Sequence, residues 1–229
     1  YLLMVKNKVR TFVGDARLID QKSIKVSNKD SEITITAESI VLATGARARE
    51  LPGLEADGEL VWTYMHALQP RRMPKKLLVI GSGAIGIEFA SFYNMLGADT
   101  TVIEMMDRIL PSEDREISIF ASEQFKKQGI KILSNASIKK LDRIKNRVKV
   151  HIQQADKNLS QDFDTVISAV GIVGNVENLG LEEIGIEVLK SHVVTDEFCR
   201  TSVEGIYAIG DIAGAPWLAH KASHEGMMV

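Results

Sequence analysis

Residues 77–86 read Leu-Leu-Val-Ile-Gly-Ser-Gly-Ala-Ile-Gly, and no other stretch of the chain restricts its fold so tightly. A short apolar run, the right length for a buried strand, feeds a GxGxxG turn made by Gly81, Gly83 and Gly86. An amphipathic segment follows, and Glu104 closes the next apolar run. Strand, glycine turn, helix, strand and acid in that order are the context that gives a glycine pattern meaning as a dinucleotide site. Gly81 permits the tight turn, Gly83 lets backbone approach a pyrophosphate, and Gly86 lets helix and strand pack closely. The free N–H groups and dipole at the helix start favour the phosphates of such a ligand. Without a ligand, the same glycines would serve as a packing turn. Glu104, about 20 residues on, stands where an acid accepts both hydroxyls of a ribose and repels a 2′-phosphate. It selects NAD over NADP, although Arg108 follows closely. Glu88, just beyond the turn, reads equally as a solvated helix charge or as a group on the nicotinamide side.

Around this turn the spacing predicts alternating strands and helices. Strands are expected at 76–80, 100–104 and 131–133. A helix is expected over 84–96, with Ile85, Phe89, Phe92 and Leu96 on one face and Gly97 as its stop. A second is expected over 113–128, with Ile117, Phe120 and Phe125 and a stop at Gly129. Such a βαβαβ series implies a parallel sheet with right-handed crossovers. Residues 136–153 read as antiparallel strands around Lys145-Asn146. Buried strands at 165–170 and 206–209 end at Gly171 and at Gly210-Asp211. Upstream, Phe12-Val13, Ile24 to Val26 and Ile33 to Thr36 read as short strands, and 39–42 as another ending in Ala-Thr-Gly at 43–45. Leu51-Pro52-Gly53 is turn chemistry suited to a linker. The opening run from Tyr1 resembles a helix tail, and 219–229 a helix cut in mid-course, so the chain reads as a piece of a longer protein.

Composition narrows the function classes. The 229 residues carry a net charge of −2, which recruits neither nucleic acid nor an anionic membrane. No apolar run approaches the roughly 20 residues of a spanning helix. Cys199 is the one cysteine, so no intrachain disulfide can form and a reducing compartment is expected, the bacterial cytoplasm or the mitochondrial matrix. It reads as a structural thiol. No metal site is expected.

Three strings carry further information: Val41-Leu-Ala-Thr-Gly45, the GSGAIG turn, and Thr201-Ser-Val-Glu-Gly-Ile-Tyr-Ala-Ile-Gly-Asp211. The first and last, taken alone, are ordinary strand-to-turn junctions. In their order and spacing the three resemble the pyridine nucleotide–disulfide oxidoreductases, flavoproteins with two dinucleotide-binding domains, over essentially the whole chain. RILPSEDREIS at 108–118, AVGIVGNVENLGLE at 169–182 and WLAHKASHEG at 217–226 are similar to the branch that oxidises dihydrolipoamide in 2-oxo acid dehydrogenase complexes.

The resemblance implies an α/β fold. A Rossmann-like NAD domain at 47–172, combining a parallel sheet with an antiparallel meander, would be inserted in part of an FAD domain made by 1–46 and 173–229. Gly81, Ser82, Gly83, Ala84, Ile85, Gly86, Glu88, Glu104, Ile138 and Gly171 would line the NAD site. Asp211 would hold the FAD ribitol, Thr44 and Gly45 would touch FAD at the crossover, and Ala16 its adenosine end. Trp217, Leu218, Ala219 and His220 would lie along the flavin. For Trp217 a packing role, and for His220 a structural one at a helix start, stay open. The implied whole enzyme is a homodimer that serves lipoyl domains.

Departures from the family pattern matter too. The paired redox cysteines, the first GxGxxG and the C-terminal interface domain with its His–Glu pair do not occur in these residues, and His224-Glu225 is not that pair. Gly171 is followed by Ile172 where many relatives have arginine. No catalytic residue is therefore assigned, and the chain is expected to supply NAD binding and part of an FAD site. Two other readings stay open: an NADPH-dependent disulfide reductase of the same superfamily, and a non-catalytic NAD-binding or complex-tethering module.

Overall fold

The computed structural model describes residues 2–229; the reading of Tyr1 falls outside them. The chain forms two compact units, one from residues up to Arg47 together with Val173–Val229, the other from Ala48–Ile172.

The first unit begins with helix α1 (Leu2–Lys6) and strands β1 (Asp15–Leu18), β2 (Ser23–Ser27) and β3 (Glu32–Thr36), which form an antiparallel sheet in that order. Phe12-Val13, expected as a strand, is not one. Asp15 already pairs with Ser27, the last residue of β2, so the ladder ends before Gly14, and among the described residues Val13 O accepts only from the Asn28 side chain, at 3.4 Å. Strand β4 (Ile40–Leu42) is followed by β5 (Ala46–Ala48), on which the chain leaves this unit.

In the second unit, β6 (Val61–Trp62) and helix α2 (Tyr64–Leu68) precede β7 (Lys76–Ile80), α3 (Ala84–Met95) and β8 (Asp99–Ile103). Helix α4 (Arg115–Lys127) and β9 (Lys131–Leu133) complete the alternation. Three antiparallel strands, β10 (Ala136–Ile144), β11 (Arg147–Gln154) and β12 (Lys157–Phe163), then lead into β13 (Thr165–Ser168). The parallel sheet has the order β6-β13-β7-β8-β9. Its central strand β7 is apolar from Leu77 to Ile80 because both faces are covered. On β7, Leu78 and Ile80 pack with Val148, Val150, Ile152 and Phe163 of the antiparallel meander. The alternate residues Leu77 and Val79 pack with Ile87, Ala90 and Tyr93 of α3. The third meander strand is polar except at Leu159 and Phe163, so no apolar period marks it in the sequence.

Both long helices end alike. Gly97 and Gly129 take φ of +96° and +95°. The next N–H groups, of Ala98 and Ile130, return to Tyr93 O at 3.0 Å and Phe125 O at 3.1 Å. This is the Schellman stop that a glycine in the left-handed region makes possible. The facing of both helices, however, differs from expectation. In α3 it is Gly86, Ile87, Ala90 and Tyr93 that are buried, while Phe92 is 52% exposed. In α4, Phe120 is 62% exposed, and the inward face is Ser118, Ala121 and Phe125. Small residues decide this: Gly86, Ala90, Ser118 and Ala121 let each helix approach its neighbours, and Ser118 Oγ donates to Leu110 O at 2.9 Å. Helix α3 is apolar on nearly every side, so its hydrophobic spacing does not single out one face.

The chain returns along β14 (Ile172–Gly174), which pairs with β5. It then forms a small hairpin of β15 (Val188–Leu189) and β16 (His192–Val193), followed by β17 (Ile206–Ala208), which pairs parallel with β4. Helix α5 (Ala219–Met228) is the last element. Leu18, Ile40, Leu42, Ile206, Ala208 and Ile212 form the core of this unit. Cys199 is buried beside it with a positive φ, and burial, followed by the nearby Glu225 carboxylate, raises its thiol pKa. It has the character of a structural thiol.

The loop entering β6 is organised by Asp57. One carboxylate oxygen accepts the N–H groups of Glu59 and Leu60 at 2.8 Å and of Val61 at 2.9 Å; the other accepts Arg143 Nε at 3.0 Å. Partial burial alone would raise the Asp57 pKa, but the N–H donors of Val61, Glu59 and Leu60, with Arg143, outweigh it and lower it. A carboxyl whose pKa is depressed by folding stabilises the fold above its unfolded pKa and loses that contribution as pH falls through the folded value. Asp57→Asn is therefore expected to cost about 1–2 kcal/mol at neutral pH. Urea titrations should show the gap between the two proteins closing as pH drops below about 4. A gap that stays constant down to pH 2.5 would remove the carboxylate from this account.

Candidate nucleotide-binding site

The turn after β7 lies at the carboxyl ends of the parallel strands, where the chain runs to β8 on one side and meets β13 on the other. Ligands of open α/β sheets bind at such a reversal of strand order. Gly81 has a φ of +94°, and a Cβ there would meet Ala169 O at 2.3 Å. A Cβ on Gly86 would stand 2.0 Å from Gly81 O. Both glycines are required by the protein itself. Gly83 differs: its φ of −65° suits any residue, and a Cβ would meet nothing within 4 Å. It caps α3, no side chain bonds the helix start, and no acid lies in the first turn. The N–H groups of Ala84, Ile85 and Gly86 therefore form a positive end with no side-chain acceptor. Ala84 and Ile85 are exposed, as is Glu88, which stands further along α3.

Glu104 follows β8, and its carboxylate turns back to this turn. Oε2 accepts Ser82 N at 2.9 Å and Ser82 Oγ at 2.6 Å, and Oε1 accepts Met106 N at 2.8 Å. Its backbone is held as well, by Leu133 O and Ala136 N. A carboxylate offers about four acceptor positions, so one remains, on Oε1. The expectation that Glu104 accepts both hydroxyls of a ribose thus meets an acid with room for one more donor.

Ile138 is two residues beyond Ala136 on β10 and packs partly into the sheet–meander core. Gly171 follows Ala169 and Val170 with a φ of +109° and is exposed. Its carbonyl accepts Arg49 N at 3.0 Å, and Arg49 Nε lies 3.9 Å from where a Cβ on Gly171 would stand. A guanidinium therefore does lie beside Gly171, supplied by Arg49 and not by the following residue. No local pattern announces it, because it comes from the crossover into the unit.

The other candidate set falls in the first unit. Ala43-Thr44-Gly45 and Gly210-Asp211 leave the same ends of the paired strands β4 and β17. Asn175, to which the 169–182 string gave no role, fastens the former: Thr44 Oγ1 donates to Asn175 O at 2.8 Å, Asn175 Nδ2 to Thr44 O at 2.9 Å, and Asn175 N to Gly45 O at 2.9 Å. Glu225 Oε2 accepts Gly210 N at 2.7 Å, and Lys221 Nζ donates to Gly210 O at 3.3 Å and pairs with Glu225 at 2.9 Å. The Asp211 turn is thereby tied to α5. Trp217, Leu218, Ala219 and His220 are exposed at the start of α5, with the Trp217 ring 5.8 Å from that of His192. Ala16 is exposed on the separate sheet of β1 to β3.

A profile of the pyridine nucleotide-disulphide oxidoreductases matches residues 2–226. Dihydrolipoyl dehydrogenase of Rhizobium etli is 47% identical over 99% of the chain and 50% of its own length. The enzyme of the same name from Zymomonas mobilis is 47% identical over 99% and 49%. Among solved structures, LpdA of Mycobacterium tuberculosis superposes with a TM-score of 0.90 at 30% identity, over 99% of this chain and 50% of that one. The HOCl-induced flavoprotein disulfide reductase RclA of Escherichia coli superposes with a TM-score of 0.84 at 28% identity, over 93% and 48%. The chain spans about half the length of the curated relatives it matches.

Proposed function

The chain belongs to the pyridine nucleotide-disulphide oxidoreductase family, and on that footing we propose that its Ala48–Ile172 unit binds NAD, within an enzyme that oxidises dihydrolipoyl groups and reduces NAD⁺. Gly83 carries the reading. Its neighbours Gly81 and Gly86 are walled in by backbone, whereas nothing in the protein requires glycine at Gly83. A bare backbone at a helix start with no side-chain cap is what close approach of a pyrophosphate demands. In this reading the N–H groups from Gly83 to Gly86 hold the phosphates, Glu104 accepts a hydroxyl of the adenosine ribose, and Ile138, Gly171 and Glu88 border the ligand. Fixed negative charge at Glu104 opposes a 2′-phosphate, which favours NAD over NADP.

In the first unit, Asp211, Thr44, Gly45 and the segment Trp217 to His220 would contribute part of an FAD site, with Ala16 toward the adenosine. One observation supports a flavin there: Asp211 follows the carboxyl end of β17 on a turn held by Glu225. FAD, when bound, supplies the two-electron relay between a dithiol and the nicotinamide. A redox disulfide needs two thiols and these residues hold one, so no dithiol step is assigned to them. The partners of the whole enzyme would be the lipoyl domains of 2-oxo acid dehydrogenase complexes and a second copy of itself.

Calorimetric titration of the 229-residue chain with NADH, NADPH and FAD separately tests this. NADH is expected to bind with a dissociation constant on the order of 10 μM to 1 mM, NADPH more weakly, and lipoamide turnover is expected to be absent. No heat with millimolar NADH would sink the proposal, and tighter binding of NADPH would move it to the NADPH-dependent disulfide reductases.

A further inference from the structure

Ser82 occupies the second position of the glycine turn and is 0% exposed. A ligand cannot touch its hydroxyl. That hydroxyl nevertheless makes a short bond, 2.6 Å, to the Oε2 atom of Glu104, itself only 8% exposed, and the Ser82 N–H adds a second at 2.9 Å. Both acceptor positions of Oε2 are thereby taken. Oε1 keeps one, since Met106 N holds the other.

From this we infer that Ser82 is a positioning residue for dinucleotide specificity: it locks the Glu104 carboxylate so that Oε1 alone faces the ribose with its charge fixed in place. The inference rests on the NAD reading given above. The terminal torsion of a glutamate side chain is broad, with no strong staggered preference of its own. Three donors remove that freedom, and a donor to an ionised oxygen is roughly twice as strong as a neutral one. With the hydroxyl gone, only the backbone donors Ser82 N on Oε2 and Met106 N on Oε1 remain, and the carboxylate is held less firmly. It then aims less well at a ribose hydroxyl and can swing away from a 2′-phosphate. The preference for NAD⁺ over NADP⁺ falls from both sides. A serine that mattered only to the fold would weaken both cofactors by the same factor and leave their ratio alone.

The measurement is the pair of dissociation constants for NAD⁺ and NADP⁺ in the 229-residue chain, for the parent, Ser82→Ala, Ser82→Cys and Glu104→Ala. Ser82→Ala is expected to lower the NAD⁺ preference roughly tenfold, the worth of one charge-assisted bond. Ser82→Cys keeps the buried volume with a weak donor, so it should behave like alanine and decides the matter if the alanine variant fails to fold. A preference unchanged in Glu104→Ala overturns the role given to the acid, and with it the NAD reading of this site. A preference changed in Glu104→Ala but kept at the parent value in the Ser82 variants overturns this inference alone.

Discussion

Alanine at Gly86 is expected to cost the Ala48–Ile172 unit about 3 kcal/mol or more and to lower its melting temperature by roughly 6–12 °C. The added methyl would stand 2.0 Å from Gly81 O and 3.3 Å from Ala169 Cβ. The first obstacle is backbone, and it is backbone already committed. Gly81 N donates to Ile103 O, and Ala169 N to Ile80 O, so the turn is bonded into both neighbouring strands. Helix α3 must lift away, and with it go Ile87, Ala90 and Tyr93, which fill the helix face of the sheet. Thermal unfolding followed by circular dichroism reads the effect. A variant melting within about 1 °C of the parent would show that the turn relaxes freely, against the close packing of an ordered core.

Gly83→Ala is expected to have the opposite profile, with little change in folding and a loss of NAD affinity of about 10- to 100-fold. The position has an ordinary φ and open space around it, so the methyl harms no contact within the protein. Helix capping changes by no more than about 1 kcal/mol. The methyl does hold a pyrophosphate off the N–H groups of the first helical turn. Hydrogen bonds to charged groups are worth about 1.5–3 kcal/mol each, and losing one of them gives the stated range. Titration with NADH alongside a melting curve separates the two effects. Unchanged affinity would mean that no phosphate approaches this backbone, and the proposed function would lose its main support.

These two glycines also mark how far the chain can be read residue by residue. The turn conformations, the glycine stops at Gly97 and Gly129 and the strands flanking Gly81 were all legible, because each depends on a few consecutive residues. The facing of α3 was not. Of four large apolar residues at helical spacing, Phe89 packs partly into the core, while the buried face is Gly86, Ile87, Ala90 and Tyr93, because Gly86 and Ala90 allow closer approach. The same held for α4, where Ser118 and not Ile117 turns inward.

Within the candidate site the same division holds. Glu104 could be singled out by its place after a strand, but its bonding to Ser82, 22 residues away, could not. Arg49 beside Gly171 and Asn175 on Thr44 likewise join segments more than a hundred residues apart; Arg49 belongs to no recognisable string, and Asn175 lies in one that does not name its partner. The sequence by itself determined where the chain turns, stops and alternates, since φ, ψ and the placing of apolar residues along a strand are local properties. Only the tertiary structure decided which helix face is buried, how many acceptor positions Glu104 keeps, and which guanidinium stands at the end of β13. Those depend on how closely distant backbones approach, and that distance is set by the packing of small side chains across elements rather than by any one element's own pattern.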